Sequence, residues 1–560
     1  MSIRITRRSL LRTTALTGLA ALAAACQPAA PATTVPTDAP KATDAPKATD
    51  APKATDAPEP TAEPAAVSFQ GEIAFYAQAY TPTSFQANPD PKAPKREALA
   101  LLAEEWAELN PGAKITFVQA GEGAYDSWIN TQLIGGTGPD VFWNPLWILN
   151  QFADEGKVVP LNDYLELPNK YVPESTSPWK STFKNPYITT ISPKGQWGGI
   201  PLDLVSTGVY TNVDMFKSVG IDVKAEIVPE LGSPKDWATL IRWCKTLKEA
   251  GYWAFSNGGY ILKRWLQWAL VDQLFWHLIP EFDKLNYQPA LPALYQEGMI
   301  SQEEVVMQYA CEGWKAFEEP ALRVMFEIFK DLSEYMPEGF VSSEDNFGAP
   351  YDLFVTNQLA MFWDGSWSLG PIMQDNRRAF EFTTFWVPPI TKETTELAHD
   401  PPILPLGAGG YGSINYGINR KVLEAGAADA CIDWLMFLTT PENDEMIVNE
   451  VPSFIPSNKQ AKSLPEVESM FVGETRLVAA PGSTWKIPRD WFSYQESKYS
   501  DSFERELTLY LLGEQDMDQF MANMKAAADE ALPATIRAAA MQYSDSGSWD
   551  LTKWTCQPDV

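Results

Sequence analysis

Residues 197–216 read Trp-Gly-Gly-Ile-Pro-Leu-Asp-Leu-Val-Ser-Thr-Gly-Val-Tyr-Thr-Asn-Val-Asp-Met-Phe. From Ile200 to Tyr210 the run is mostly apolar or β-branched, and Asp203 is its one charge. A short apolar run bounded by Gly and Pro reads as a buried strand. A carboxylate inside such a run is costly unless something pairs with it. The stretch therefore predicts a strand at the floor of a cleft, crossing between two lobes. Asp203 either points at a ligand there or caps and pairs within the fold.

The remainder of the chain fits that frame. Its 560 residues suffice for two or three domains, and 45% of them are apolar, enough for a sizeable core. The formal charge is −29, from 43 basic and 72 acidic residues. That balance argues against nucleic acid, whose phosphates call for a basic face. Two histidines, His277 and His399, far apart in sequence, supply a histidine metal cluster or a Ser/His/Asp triad poorly. No metal or cofactor is expected. The 21 tryptophans are a several-fold excess over a usual share of roughly one in a hundred. Such an excess suits a surface that stacks on flat, partly apolar faces.

The first residues read as an address. Arg4, Arg7, Arg8 and Arg12 precede a short apolar stretch at 16–25 and then Cys26. That is the layout of a signal peptide over 1–25, too short to span a membrane. Thr6-Arg7-Arg8-Ser9-Leu10-Leu11 resembles a twin-arginine export signal. The alanines before Cys26 resemble a lipoprotein cleavage box, though Ala23 stands where Leu is commoner. Cys26 is thus the expected lipidation site. Residues 27–66 repeat Ala-Thr-Asp-Ala-Pro-Lys and read as a disordered tether. The mature chain is expected outside the cytoplasm, lipid-anchored to the outer face of the membrane.

From residue 71 the pattern alternates strands and helices. A strand at 71–79, a helix at 95–109, a strand at 114–119, a helix at 125–134 and a strand at 141–143 predict a parallel α/β sheet. The glycines at 135–138 lack the Gly-Lys-Ser/Thr of a phosphate loop. Ligands of open α/β sheets sit beyond the carboxyl ends of strands. That places Trp143 and Asn144 at a cleft edge, with Trp147 near. Helical faces at 235–248 and 430–438 carry Cys244 and Cys431 on their apolar stripes. With Cys311 and Cys556 there are four cysteines after Cys26, an even count that permits disulfides in an exported protein; at most Cys311 or Cys556 could find a partner, and no pairing is assigned.

Several motifs then come in order. They are Gly138-Pro139-Asp140-Val141, Pro160-Leu161-Asn162-Asp163-Tyr164, Gly199-Ile200-Pro201, Tyr210-Thr211-Asn212-Val213-Asp214-Met215-Phe216, Pro234-Lys235-Asp236-Trp237, Ala360-Met361-Phe362-Trp363-Asp364-Gly365-Ser366-Trp367 and Tyr416-Gly417-Ile418-Asn419, followed by the helix at 430–441. Together, over roughly 70–550, they resemble the extracellular solute-binding proteins of ABC importers, specifically the sugar (maltose and oligosaccharide) group. The family's Asn-Lys after the Tyr is Thr211-Asn212 here, and 260–345 is long and Trp-rich for the group.

The resemblance implies an α/β, two-lobed periplasmic-binding-protein-like fold with hinge strands between lobes, at 203–210, 407–416 and 480–490. Lobe one would be 70–203 plus 417–482; lobe two would be 204–416 plus 483–560. It implies a monomer without enzymatic activity that closes on a sugar and delivers it to ABC permease subunits. Candidate contacts from the family's placement are Trp143, Asp203, Trp363, Asp364 and Trp367. Tyr125, Tyr411, Asn415, Trp491 and Tyr494 are added from loops and crossings. Trp253, Trp265, Trp268 and Trp276 fall largely at helical spacing and read mainly as core. The alternative is a secreted carbohydrate-cleaving enzyme using paired carboxylates, for instance Asp203 and Asp364.

Overall fold

The computed structural model describes residues 65–557, apart from 88–94, 122–123, 173–174, 185–191, 193, 257–260, 288–296, 343–347, 403–412, 472–496, 546 and 548. The expected signal peptide, Cys26 and most of the tether thus lie outside the described residues. No helix among the described residues is long and apolar enough to cross a membrane.

The first sheet begins as predicted. Strand β1 (Gly71–Tyr76) sends Ile73 and Phe75 into the core. The helix Ala98–Leu109 buries Leu99, Leu102, Ala103 and Trp106 on one face. The chain then returns through β2 (Ala113–Phe117), parallel to β1, with Phe75 opposite Phe117. The helix Tyr125–Gly135 leads to β3 (Val141–Trp143), parallel to β1 on its other side. Two strands from far along the chain complete the sheet in the order β2-β1-β3-β12-β4. These are β4 (Ile200–Pro201) and β12 (Asn415–Ile418), the latter antiparallel to both β3 and β4. The helix Ala428–Leu438 seals this core. Its Trp434 meets Trp106 edge to face at 5.8 Å, and the Trp106 indole donates to Asp433 at 2.8 Å.

The stretch 200–212 does cross between two sheets, but in three pieces. After β4, strand β5 (Asp203–Leu204) leaves the first sheet and pairs with β13 (Ile455–Pro456) in a two-stranded ribbon. Strand β6 (Thr207–Asn212) then enters a second sheet. The breaks have local causes. Pro201 has no N–H to extend a ladder. Ser206 gives its carbonyl to the Ser366 amide at 2.7 Å, outside any strand pairing.

The second sheet has the order β11-β6-β10-β9, from β9 (Trp253–Ser256), β10 (Leu359–Gly365) and β11 (Phe382–Phe385). Strand β10 runs antiparallel to β6, with Trp363 opposite Val209. A small ribbon of β7 (Ile227–Val228) and β8 (Ser233–Pro234) precedes the helix Trp237–Glu249, which buries Leu240, Trp243, Cys244 and Leu247. The C-terminal helices Ser497–Leu512 and Met517–Asp545 pack into the same core, as do residues of the helix Pro320–Ser333. A disulfide joins Cys311 to Cys556, while Cys244 and Cys431 are buried thiols.

One crossing boundary differs from the expectation. Strand β12 belongs wholly to the first sheet, so the chain is back in lobe one by Asn415 rather than 417. The ribbon partner of β5 is Ile455–Pro456; the expected crossing at 480–490 lies outside the described residues. Beyond it Val467 and Phe471 pack with Tyr210 and Phe362 on the second sheet, although 417–482 was expected in lobe one.

Candidate functional site

At the carboxyl end of the first sheet, four rings come together. Tyr76 closes β1 and Trp143 closes β3, while Tyr125 and Trp128 stand on the first turn of the helix Tyr125–Gly135 that precedes β3. Tyr76 stacks on Tyr125 with centroids 5.0 Å apart and planes 19° from parallel. Tyr125 lies 5.1 Å from Trp143 and 5.7 Å from Trp128. The phenol of Tyr125 donates to the Trp143 carbonyl, and the Trp143 indole donates to the Ser413 carbonyl at 2.8 Å. All four rings are half-buried, so each shows an edge or a face. The hydrogen bonds fix the tilt of Tyr125 and Trp143 before any ligand arrives.

Polar groups beside this wall are left without partners among the described residues. Asn144, the residue after β3, is buried, yet neither its amide nitrogen nor its amide oxygen has a hydrogen bond. Its backbone N–H reaches the Asn415 carbonyl at 3.2 Å, which fixes the residue while leaving its side chain unspent. Gln78, just past β1, has a left-handed φ of 54° and a buried oxygen without a partner. Buried amides without partners cost about 1–3 kcal/mol each, and backbone strain adds to that. Such costs cluster where a ligand will supply the missing bonds.

The opposite lobe contributes Trp367. Its indole is half-buried and packs against both main cores, that of the first sheet and that of the second. It meets Trp265 edge to face at 6.1 Å. It also folds back over Gly365, where an added Cβ would lie 2.3 Å from the ring. Trp367 is therefore the side chain that bridges the seam.

The nominated carboxylates sit deeper. Asp203 is sealed from solvent. Its Oδ1 accepts the amides of Ser413 (3.0 Å) and Ile414 (2.9 Å), and its Oδ2 accepts the Tyr80 hydroxyl at 2.7 Å. Burial pushes its pKa up to about 7, against the pull of those donors. The structure thus gives Asp203 the second of its two sequence readings: it pairs within the fold, holding two crossings together. Asp364 is also buried, accepting from Gly365 N (2.8 Å) and the Ser368 hydroxyl, and burial again raises it to about 7. Neither carboxylate is exposed to a substrate, so the pair nominated for acid–base cleavage is not presented. Trp363 is core, 1% exposed, between Phe255 and Trp265. Asn415 is buried at the start of β12. Tyr411, Trp491 and Tyr494 lie outside the described residues.

Of the nominated residues, the structure brings Trp143 and Tyr125 together and sets Trp367 at the seam. It adds Tyr76, Trp128 and Gln78, which the sequence reading missed. Tyr76 ends a parallel strand and could have been found by the rule that placed Trp143.

Two sheets of separate cores, joined by short crossing strands, with an aromatic wall at the carboxyl edge of one, define a two-lobed solute-binding protein. Residues 90–445 match the family described as bacterial extracellular solute-binding protein, and the chain belongs to that family, whose members act outside the cytoplasm. Solved structures with a similar fold include apo RafE from Streptococcus pneumoniae (16% identity, covering 82% of this chain and 98% of that one, TM-score 0.50). Another is a Listeria monocytogenes ABC substrate-binding protein in complex with cycloalternan (17% identity, 83% and 100%, TM-score 0.48). A third is a maltose-bound protein from T. maritima (14% identity, 81% and 98%, TM-score 0.47). No curated protein matched the sequence.

Proposed function

We propose that the protein binds a neutral sugar or oligosaccharide between its lobes and delivers it to ABC permease subunits. In this reading it is exported by a twin-arginine-like signal, held at the outer face of the membrane by a lipid on Cys26, and works as a monomer without catalysis. The observation that carries the sugar assignment is the four-ring wall of Tyr76, Tyr125, Trp128 and Trp143 beside the unspent amide of Asn144. Pyranose rings present C–H faces that stack on such rings and hydroxyls that pair with amides. Trp367, touching both cores, is the group through which a ligand favours one lobe arrangement over another.

The test is calorimetry of the mature chain against a panel of mono- and oligosaccharides, with product analysis of the same mixtures. Binding with intact sugar supports the reading. Released reducing ends would turn it toward the carbohydrate-cleaving enzyme, and no binding to any neutral sugar would overturn the ligand class. Metabolic labelling with a radiolabelled fatty acid tests the anchor: wild type should take up label and Cys26→Ala should not.

A further inference from the structure

Far from the crossings in sequence, the loop around Trp314 and one face of the helix Met517–Asp545 enclose a half-open cavity of about 560 Å³. That is the size of a small-molecule site. None of its lining residues belongs to the aromatic wall, the ribbon or Trp367. The walls are apolar and aromatic: the rings of Tyr309 and Trp314 meet edge to face at 4.9 Å, and Phe317 and Leu532 are buried beneath.

The rim is basic, in a chain whose net charge is −29. Lys315, Lys525 and Arg537 line the cavity against a single carboxylate, Asp529. Asp529 accepts from Lys315 at 2.6 Å and from Lys525 at 2.9 Å, so one acid fixes two ammonium groups in place. Lys525 also reaches Glu318 at 3.1 Å. The Arg537 guanidinium has no ion pair or hydrogen bond among the described residues. Along the helix, Pro533 has no N–H to bond the Asp529 carbonyl one turn back. Across the cavity the loop is tied down, because Cys311 within it is bonded to Cys556. A cavity with a fixed wall, held ammonium groups and a spare guanidinium is organised before its occupant arrives.

We propose that this cavity is a second binding site for a small molecule that joins an aromatic or aliphatic body to a carboxylate. The body fills the space between Trp314 and Leu532. The carboxylate takes the two parallel N–H groups of Arg537, a geometry that arginine favours.

Indole-3-acetate and its uncharged counterpart indole-3-acetamide distinguish the chemistry, titrated by calorimetry into the mature chain. The acetate should bind and the acetamide should bind roughly tenfold more weakly or worse. Arg537→Ala should cost the acetate about tenfold while leaving the melting temperature unchanged, since Arg537 is exposed and its guanidinium unpaired. Trp143→Ala should leave acetate binding unchanged, which separates this site from the cleft. Equal affinity for the two probes, no heat with either, unchanged binding by Arg537→Ala, or loss of acetate binding in Trp143→Ala overturns the proposal.

Discussion

Tyr80 and Asp203 meet at 2.7 Å, hydroxyl to carboxylate, and the contact locks the turn Gln78–Tyr80 after β1 to the strand that leaves the first sheet. The other oxygen of Asp203 holds the amides that lead into β12. One side chain therefore ties together three segments more than a hundred residues apart. Asp444 lies behind it, accepting from Asn458 N at 2.6 Å beside the β13 strand, and burial raises its pKa as well. The hinge is built on buried acids rather than on a ligand's hydroxyls.

That construction predicts a particular pH dependence. Asp203 and Asp364 ionise near 4 when unfolded and near 7 when folded. Across that window the folded chain keeps protons that the unfolded chain has released, so their contribution to stability falls as pH rises and is level above about 8. The steepest slope is about 1.4 kcal/mol per pH unit for each group. Asp364→Asn removes one such contribution. Urea unfolding at pH 4 to 8 should show the variant gaining on wild type up to about pH 7 and then holding a constant difference. A difference that is the same at every pH would sink the assignment.

The aromatic wall predicts a split between stability and binding. Trp143 is half-buried, so Trp143→Ala should leave a folded chain and weaken sugar binding roughly tenfold or more, as expected of a central aromatic contact. Asn144 behaves in the opposite sense. Its amide has no protein partner, so Asn144→Ala should leave the unliganded protein unharmed or up to about 1–2 kcal/mol more stable. The same variant should lose affinity. Thermal melts with and without sugar check both halves, and a destabilised unliganded Asn144→Ala would refute the idea that this amide waits for a ligand.

The disulfide gives a count. Cys311 and Cys556 are bonded, and Cys244 and Cys431 are buried. A chain starting at residue 27 should show no thiol to a colorimetric reagent when native, two after unfolding and four after reduction. Cys556→Ser releases a covalent loop of 245 residues and should cost roughly 2–5 kcal/mol of stability. Two thiols reacting in the native state would contradict the burial of Cys244 and Cys431.

How far the residues alone could reach follows from the same places. Strands such as Gly71–Tyr76 and helices such as Ala98–Leu109 carry their period openly, and the first sheet was legible from them. The crossing at 200–210 was legible as a crossing but not as three strands, because pairing partners such as Ile455 and Asn415 lie more than two hundred residues away. Asp203 could be read two ways because an apolar run reveals that a carboxylate needs donors, not whether protein or ligand supplies them. Trp363 and Trp367 stand in one motif, yet one is core and the other bridges the seam. The alternation along β10 and the turn at Gly365 separate them, and neither is visible without the sheet. Tyr76 escaped notice because it closes a strand read as running to 79.

Gly365 offers the sharpest test of the seam. Its backbone is extended, so no special φ demands a glycine; the demand comes from the indole laid across it. A methyl group there would sit 2.3–2.4 Å from three carbons of the Trp367 ring, well inside contact distance. Something must move, and the half-buried indole, although it hydrogen-bonds Asp364, gives way before the β10 backbone, which is paired to β6 through Thr207 opposite Gly365. Gly365→Ala should therefore cost about 1–3 kcal/mol of stability through overpacking. Its larger effect should be on function, because the ring leaves the position from which it touches both cores. Sugar affinity should fall at least roughly tenfold. Trp367→Leu, which relieves the clash in the double variant, should restore stability to Gly365→Ala without restoring affinity. Calorimetry and melting curves on the two single variants and the double decide it: recovery of affinity in the double variant would show that the indole is packing alone and that the cleft is closed by something else.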